Sequence, residues 1–167
     1  MVEPITWEEA SSRRRAHSGL RWACDRFAEA MAKGDTDGVY CSAVESVVWA
    51  CALDDILGQA EPGYEARREA DIDGRLLVGI RWARNRGVHN VLSLHEVHHG
   101  PPVYVTYPER WWDFTWLDRD RIPTAGRPAP LQERAYDEHL SGESVEATLA
   151  SVYRFLTTRP SEQARNR

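Results

Sequence analysis

Lysine, long apolar runs and paired cysteines are scarce in this chain, and each shortage excludes a class of protein. Lys33 is the single lysine beside 20 arginines, and the longest apolar run covers only residues 47–53. A membrane-spanning helix needs roughly 20 apolar residues, so none is expected. Cys24, Cys41 and Cys51 have no CxxC spacing, and the first residues show no signal-peptide pattern. The chain is therefore predicted to be a reduced, cytoplasmic protein without a membrane segment.

The charge balance excludes a second class. With 21 basic and 26 acidic residues the net charge is −5, which argues against a protein that coats nucleic acid without specificity. Because nearly all the cations are arginines, any bound anion meets planar guanidinium groups, which can hold phosphate through two hydrogen bonds. No Walker loop, dinucleotide fingerprint or Gly-x-Ser-x-Gly elbow occurs. The length of 167 residues predicts one domain, 1–167.

Residues 8–100 carry apolar side chains at the three-to-four-residue spacing of helices that bury one face. Gly34, Gly58 and Gly87 are placed where helices would end, and the Pro-Gly content of 59–66 predicts a loop. The pattern therefore predicts an all-α fold built on an up-and-down four-helix bundle. Its helices are expected over residues 8–33, 38–58, 67–86 and 88–99.

Residues 101–167 have a different character and are predicted to extend the helical core. Two β-branched and aromatic runs, 103–107 and 112–117, flank a short polar turn, which is typical of a β-hairpin over 102–118. Two short helices follow, over 131–140 and 144–156. Most hairpin aromatics are expected to pack on helices or at a dimer contact, although exposed ones could stack bases.

Arg84, Asn85 and His89 form the most informative group, because they lie within six residues of one another at an expected helix break. An imidazole can take the proton of an RNA 2′-hydroxyl and return one to the leaving oxygen. A guanidinium can stabilise the phosphate as its charge is redistributed. Residues five apart on a straight helix diverge by roughly 140°, so a break at Gly87 is needed to bring Arg84 and His89 together.

This segment resembles the Arg-x4-6-His motif of the HEPN superfamily (higher eukaryotes and prokaryotes nucleotide-binding), in which a polar residue, often Asn, follows the Arg. The resemblance covers about residues 8–99. It implies a homodimer whose two motifs face one cleft, and a metal-independent endoribonuclease without a cofactor, acting as a toxin or antiviral defence effector with an antitoxin or sensor protein as partner. His89 would be the general acid–base, Arg84 would hold the scissile phosphate of the RNA substrate, and Asn85 would orient that phosphate or hydrogen-bond to it. Further RNA contacts are expected from Arg81, Arg86, Asn90 and His95.

Other interpretations of these residues stay open. The same dimer could bind a nucleotide or a partner protein without cleavage, or the arginines could be solvated and His89 a simple helix-end residue. The stretch 95–99 also satisfies His-Glu-x-x-His, in which two imidazoles one helical turn apart grip zinc and the Glu activates water. A zinc hydrolase using His95, Glu96 and His99 is therefore an alternative, although residues 100–102 (Gly-Pro-Pro) would end that helix at its second ligand.

The first predicted helix has a basic face, which is a further candidate RNA path. It comprises Arg13, Arg14, Arg15, Arg21 and Arg26, opposed by Asp25 and Glu29. A solvated face without a ligand is the simpler interpretation of this pattern.

Overall fold

Helices make up most of the computed structural model, which describes residues 7–86, 95–97, 113–123 and 129–158. The helical class predicted from the sequence is confirmed. Among the residues described, no helix is both long and apolar enough to cross a membrane. In chain order the elements are α1 (Trp7–Lys33), α2 (Thr36–Ala60), α3 (Tyr64–Ala70), α4 (Ile72–Asn85), β1 (His95–Val97), β2 (Asp113–Thr115), a 3-10 turn (Arg119–Arg121), α5 (Pro130–His139) and α6 (Val145–Thr157).

The two long helices α1 and α2 form the frame of the molecule. They follow the predicted spans closely, because both have an apolar stripe at helical spacing. Asp35 begins α2 as its N-cap, with its carboxylate accepting a hydrogen bond from the Gly38 amide at 3.0 Å. Leu20 and Phe27 of α1 and Val47 of α2 are among the core residues that the pair buries.

The predicted third helix, 67–86, is wrong as a single element, because Asp71 divides it into α3 and α4. Asp71 adopts an extended conformation and caps α4, accepting a hydrogen bond from the Asp73 amide at 3.0 Å. A Cβ added to Gly74 would lie 2.5 Å from the Arg68 carbonyl oxygen, so this corner needs a glycine where the two helices meet. The predicted loop 59–66 is also shorter than expected, since α2 continues to Ala60 and α3 begins at Tyr64.

The predicted fourth helix, 88–99, is wrong at residues 95–97, which form strand β1. This strand pairs antiparallel with β2, and Glu96 stands opposite Phe114. The second strand of the predicted hairpin is thus confirmed at 113–115, with β1 as its partner, while its proposed first strand at 103–107 lies outside the described residues. The short apolar spacing of 88–99 did not distinguish a helix from a strand. At 95–97, pairing with a strand that is distant in the chain favoured the strand.

The C-terminal part closes the core over α4. Tyr136 of α5 stacks on Trp82 with ring centroids 4.7 Å apart and donates a hydrogen bond to the Leu117 carbonyl at 2.7 Å. Trp116 is buried and donates from Nε1 to Thr148 of α6 at 3.0 Å. The predicted helices 131–140 and 144–156 are both confirmed, and Trp116 packs in the core as expected. Trp111 and Trp112 lie outside the described residues.

Removing the acceptor of the Trp116 indole should destabilise the fold. The Thr148 hydroxyl accepts from Trp116 and donates to the Ser144 carbonyl at 2.8 Å. We expect Thr148→Val to lower the free energy of unfolding by about 1–3 kcal/mol, because a buried N–H loses its partner. Thr148→Ser keeps the hydroxyl and should lose less. Urea unfolding followed by circular dichroism measures both, and an equal loss in the two variants would contradict the role of the hydroxyl.

Candidate functional site

The C-terminal end of α4 carries four of the residues singled out in the sequence. Arg84 directs two guanidinium nitrogens at the side-chain oxygen of Asn85, with Nε at 3.3 Å and Nη2 at 3.2 Å. Asn85 in turn donates from Nδ2 to Gln132 of α5 at 3.3 Å. The amide of Asn85 therefore fixes the orientation of the Arg84 guanidinium and ties it to a second helix.

Arg84 also faces a carboxylate on α2. Its Nη1 atom lies 3.8 Å from Oδ2 of Asp55, which is longer than a good hydrogen bond. The Arg84 side chain keeps 33% of its surface exposed, and its position at the negative end of the α4 dipole favours a cation. Arg84 is thus oriented on one side and accessible on the other.

Asp54, directly before Asp55, is the buried centre of this region, and the sequence analysis did not identify it. Its carboxylate is 1% exposed and accepts hydrogen bonds from the Tyr64 hydroxyl at 2.7 Å and from Arg68 Nη1 at 3.0 and 3.1 Å. Arg81 donates to Asp54 and to Asp55 as well. The sequence feature that could have indicated Asp54 is a pair of consecutive aspartates directly after the longest apolar run, residues 47–53.

The break at Asp71 makes this arrangement feasible. Arg68 and Arg81 are thirteen residues apart, and in one straight helix they would lie about 20 Å apart along its axis. Because α3 and α4 meet at a corner, both guanidiniums reach the same carboxylate. Asp54 thereby links α2, α3 and α4.

The protonation states of the cluster follow from burial and from these contacts. Burial, together with the charge of Asp54 and the hydrogen bond to it, raises the pKa of Tyr64, which stays a donor at neutral pH. Burial by itself would lower the pKa of Arg81, but hydrogen bonds to Asp54 and Asp55 outweigh it and the net pKa is raised. Three guanidiniums, those of Arg68, Arg81 and Arg84, therefore face two carboxylates, and this local excess of one positive charge favours an anion beside Arg84.

The structure describes only some of the remaining predicted site residues. Arg86 ends α4, with its guanidinium carbon 5.1 Å from the centre of the Trp82 ring. His89, Asn90 and His99 lie outside the described residues, so their relation to Arg84 stays a prediction.

The zinc alternative required a helix at His95 and Glu96, and the structure places both residues in strand β1 instead. A strand rises about 3.3 Å per residue and has no helical turn, so the one-turn spacing that the His-Glu-x-x-His motif needs does not begin there. Among the described residues, no group of three or more His, Cys, Asp or Glu side chains is placed to hold a metal ion. His98 and His99 lie outside the described residues, so the zinc alternative stays a prediction.

Comparisons with known proteins identify no family for this chain. No protein-family model matches it, and neither a curated protein nor a solved structure does. The resemblance to HEPN proteins therefore depends on the Arg84–His89 motif and on the helix count and order predicted over residues 8–99.

Asp54 and Asp55 form a matched pair for testing which carboxylate holds the fold. We expect Asp54→Asn to lower the free energy of unfolding by about 3 kcal/mol or more, because it leaves guanidiniums poorly paired around a buried position. Asp55→Asn removes a carboxylate whose side chain is 43% exposed and should lose less than about 1 kcal/mol. Chemical denaturation of the two variants measures both values, and similar losses would contradict the central role of Asp54.

Proposed function

We propose that the protein is a metal-independent endoribonuclease of HEPN type, with Arg84, Asn85 and His89 as its site. The observation that supports this most directly is the Arg84 guanidinium, which Asn85 orients at the exposed end of α4. A fixed and accessible fork of N–H donors is suited to a phosphodiester. The long contact between Arg84 and Asp55 is one that a phosphate can replace.

Each residue has a distinct task in the proposed reaction. His89 takes the proton of the 2′-hydroxyl, whose oxygen attacks the adjacent phosphorus while the bond to the 5′-oxygen breaks. The proton is returned to that leaving oxygen, and the products end in a 2′,3′-cyclic phosphate and a 5′-hydroxyl. Arg84 stabilises the negative charge that is redistributed on the phosphate. Asn85 acts through Arg84 and is a positioning residue.

The proposal includes the finer architecture and the assembly. Residues 8–100 would supply the HEPN-like up-and-down bundle and residues 101–167 its extension. Two copies would associate around a two-fold axis so that both sites face one cleft, because one Arg and one His form only half of such a site. An endoribonuclease of this kind fits a toxin or antiviral defence effector, with an antitoxin or sensor protein as partner. Light scattering tests the assembly, and a monomer mass would contradict it.

Cleavage of RNA in the presence of EDTA tests the activity. We expect Arg84→Ala and His89→Ala each to lower the cleavage rate by about a hundredfold or more, the scale for losing an acid–base group or a charge-stabilising donor. Arg75→Ala is the matched control, since Arg75 is exposed on the same helix but nine residues away, on the opposite face. The control should cleave at the rate of the unmodified protein and yield the same cyclic phosphate ends.

The pH dependence of cleavage provides an independent check on His89. The rate should show an inflection near neutral pH in the unmodified protein, because an imidazole titrates there, and none in the His89→Ala variant. Binding of RNA without any cleavage would favour the non-catalytic HEPN-like module instead. Activity that EDTA abolishes, or that is indifferent to both Arg84 and His89, would contradict the proposed function.

A further inference from the structure

A groove between α1 and α2 combines exposed aromatic rings with arginines. Its volume is about 630 Å³, and its walls include Trp22 of α1 and Trp49 of α2. Trp22 is 59% exposed and Trp49 is 36% exposed, although most of the other described tryptophans are buried. On α1, Arg15, Gly19, Trp22 and Arg26 are spaced by three or four residues, so they line one face of the helix.

Gly19 determines how Trp49 lies in this groove. A Cβ added to Gly19 would lie 2.5 Å from both Cδ2 and Cε2, the two fusion carbons at the centre of the indole. Because the nearest atoms belong to the middle of the ring system, the ring rests with its face on the α1 backbone. Any larger residue at position 19 would displace the ring. The opposite face of a partly exposed indole is then available to a planar ligand.

The charges around the groove favour an anionic occupant. Arg14 and Arg15 are exposed and make no hydrogen bond or ion pair with the described part of the chain. Arg26 is neutralised by its ion pair with Glu45. Two positive charges thus remain at the rim, although the whole chain carries −5. Packing the same face of a second copy against it around a two-fold axis would bring like charges together, which disfavours that arrangement.

We propose that this groove binds single-stranded RNA, with unpaired bases stacked on Trp22 and Trp49 and phosphates held by Arg14 and Arg15. Base–indole stacking combined with guanidinium contacts is the usual mode by which proteins hold single strands without sequence preference. Two flat rings suit bases better than the flexible side chains of an acidic peptide. This inference rests on the proposed function, for which it supplies the substrate-binding surface.

Helix α2 connects the groove to the proposed cleavage site. Trp49, Ala52 and Asp55 follow one another at three-residue intervals along its partly exposed side. The rise of 1.5 Å per residue places Asp55 about 9 Å from Trp49 along the axis. Six residues also turn the helix by about 240°, so a strand held on the two indoles has to pass about a third of the way around α2 to reach Arg84 beside Asp55.

Titration with a fluorescent single-stranded RNA of about 12 nucleotides tests the groove, with the full chain carrying His89→Ala to prevent cleavage. We expect RNA to quench tryptophan fluorescence, and Trp22→Ala and Trp49→Ala each to weaken binding by about tenfold or more. Gly19→Ala should weaken it similarly while preserving helicity, because alanine favours the helix but displaces Trp49. Trp7→Ala is the control, since Trp7 is 76% exposed on the same helix outside the groove.

The salt dependence separates phosphate contacts from stacking. Substituting Arg14 and Arg15 together by Ala should make the slope of log affinity against log salt concentration less steep by about 1.4, the change for two lost contacts with a single strand.

Competition experiments test which class of ligand the groove prefers. Duplex RNA and a polyglutamate peptide should bind weakly and compete poorly. Equal competition by polyglutamate, binding that is indifferent to both indoles, or a Trp49→Ala variant that dissociates a dimer in light scattering would overturn the proposal.

Failure of this inference can be told apart from failure of the proposed function. Binding that depends on Trp22 and Trp49 in a protein that never cleaves RNA would support the groove and contradict the nuclease. Cleavage that depends on Arg84 and His89 with binding indifferent to the indoles would support the nuclease and overturn the groove.

Discussion

The structure depends on one buried carboxylate. Asp54 is almost completely removed from solvent, and an isolated carboxylate at such a position would be strongly unfavourable. Tyr64, Arg68 and Arg81 supply the hydrogen bonds and positive charge that compensate for its lost hydration. These partners come from α3 and α4, so the charge of a single side chain on α2 determines where both of those helices pack.

The same arrangement determines what α4 presents to solvent. With Arg81 bound to the two carboxylates, the next turn of the helix places Arg84 near Asp55, and Asn85 ties it to α5. A side chain binds an anion with a smaller loss of side-chain entropy when protein contacts already fix part of it and the rest is exposed to solvent. The position of the candidate site is therefore a consequence of the ionic contacts that Asp54 makes in the core.

Periodicity was sufficient to predict much of the fold. The apolar spacing indicated the two long helices and the last two, because each buries a continuous stripe against its neighbours. The division at Asp71 was missed, since Gly74 lies three residues beyond it, inside α4, and an aspartate cap looks like any polar residue in a helix. The β1–β2 pair was also missed, because its partners are far apart in the chain and short strands carry little local signal.

The candidate site was predicted to the extent that its residues are neighbours in sequence. Arg84 and Asn85 are adjacent and were both named from the sequence, but Asn85 was expected to contact the phosphate, and its hydrogen bonds with Arg84 were not predicted. Asp54 was missed because its importance comes from being buried beside distant arginines, which no local pattern records. The exposure of Trp22 and Trp49 was missed for the same reason, since aromatic residues at helical spacing normally indicate a core.

The corner between α3 and α4 has an evolutionary consequence. Arg68 and Arg81 share the Asp54 carboxylate, and the corner that brings the two arginines together needs a residue without a side chain at Gly74. A change at any one of these positions leaves the other charged groups without their partners, whereas replacement of the whole ionic group by apolar residues can be tolerated. These positions are therefore expected to be inherited as a unit, and homologous sequences should show them varying together.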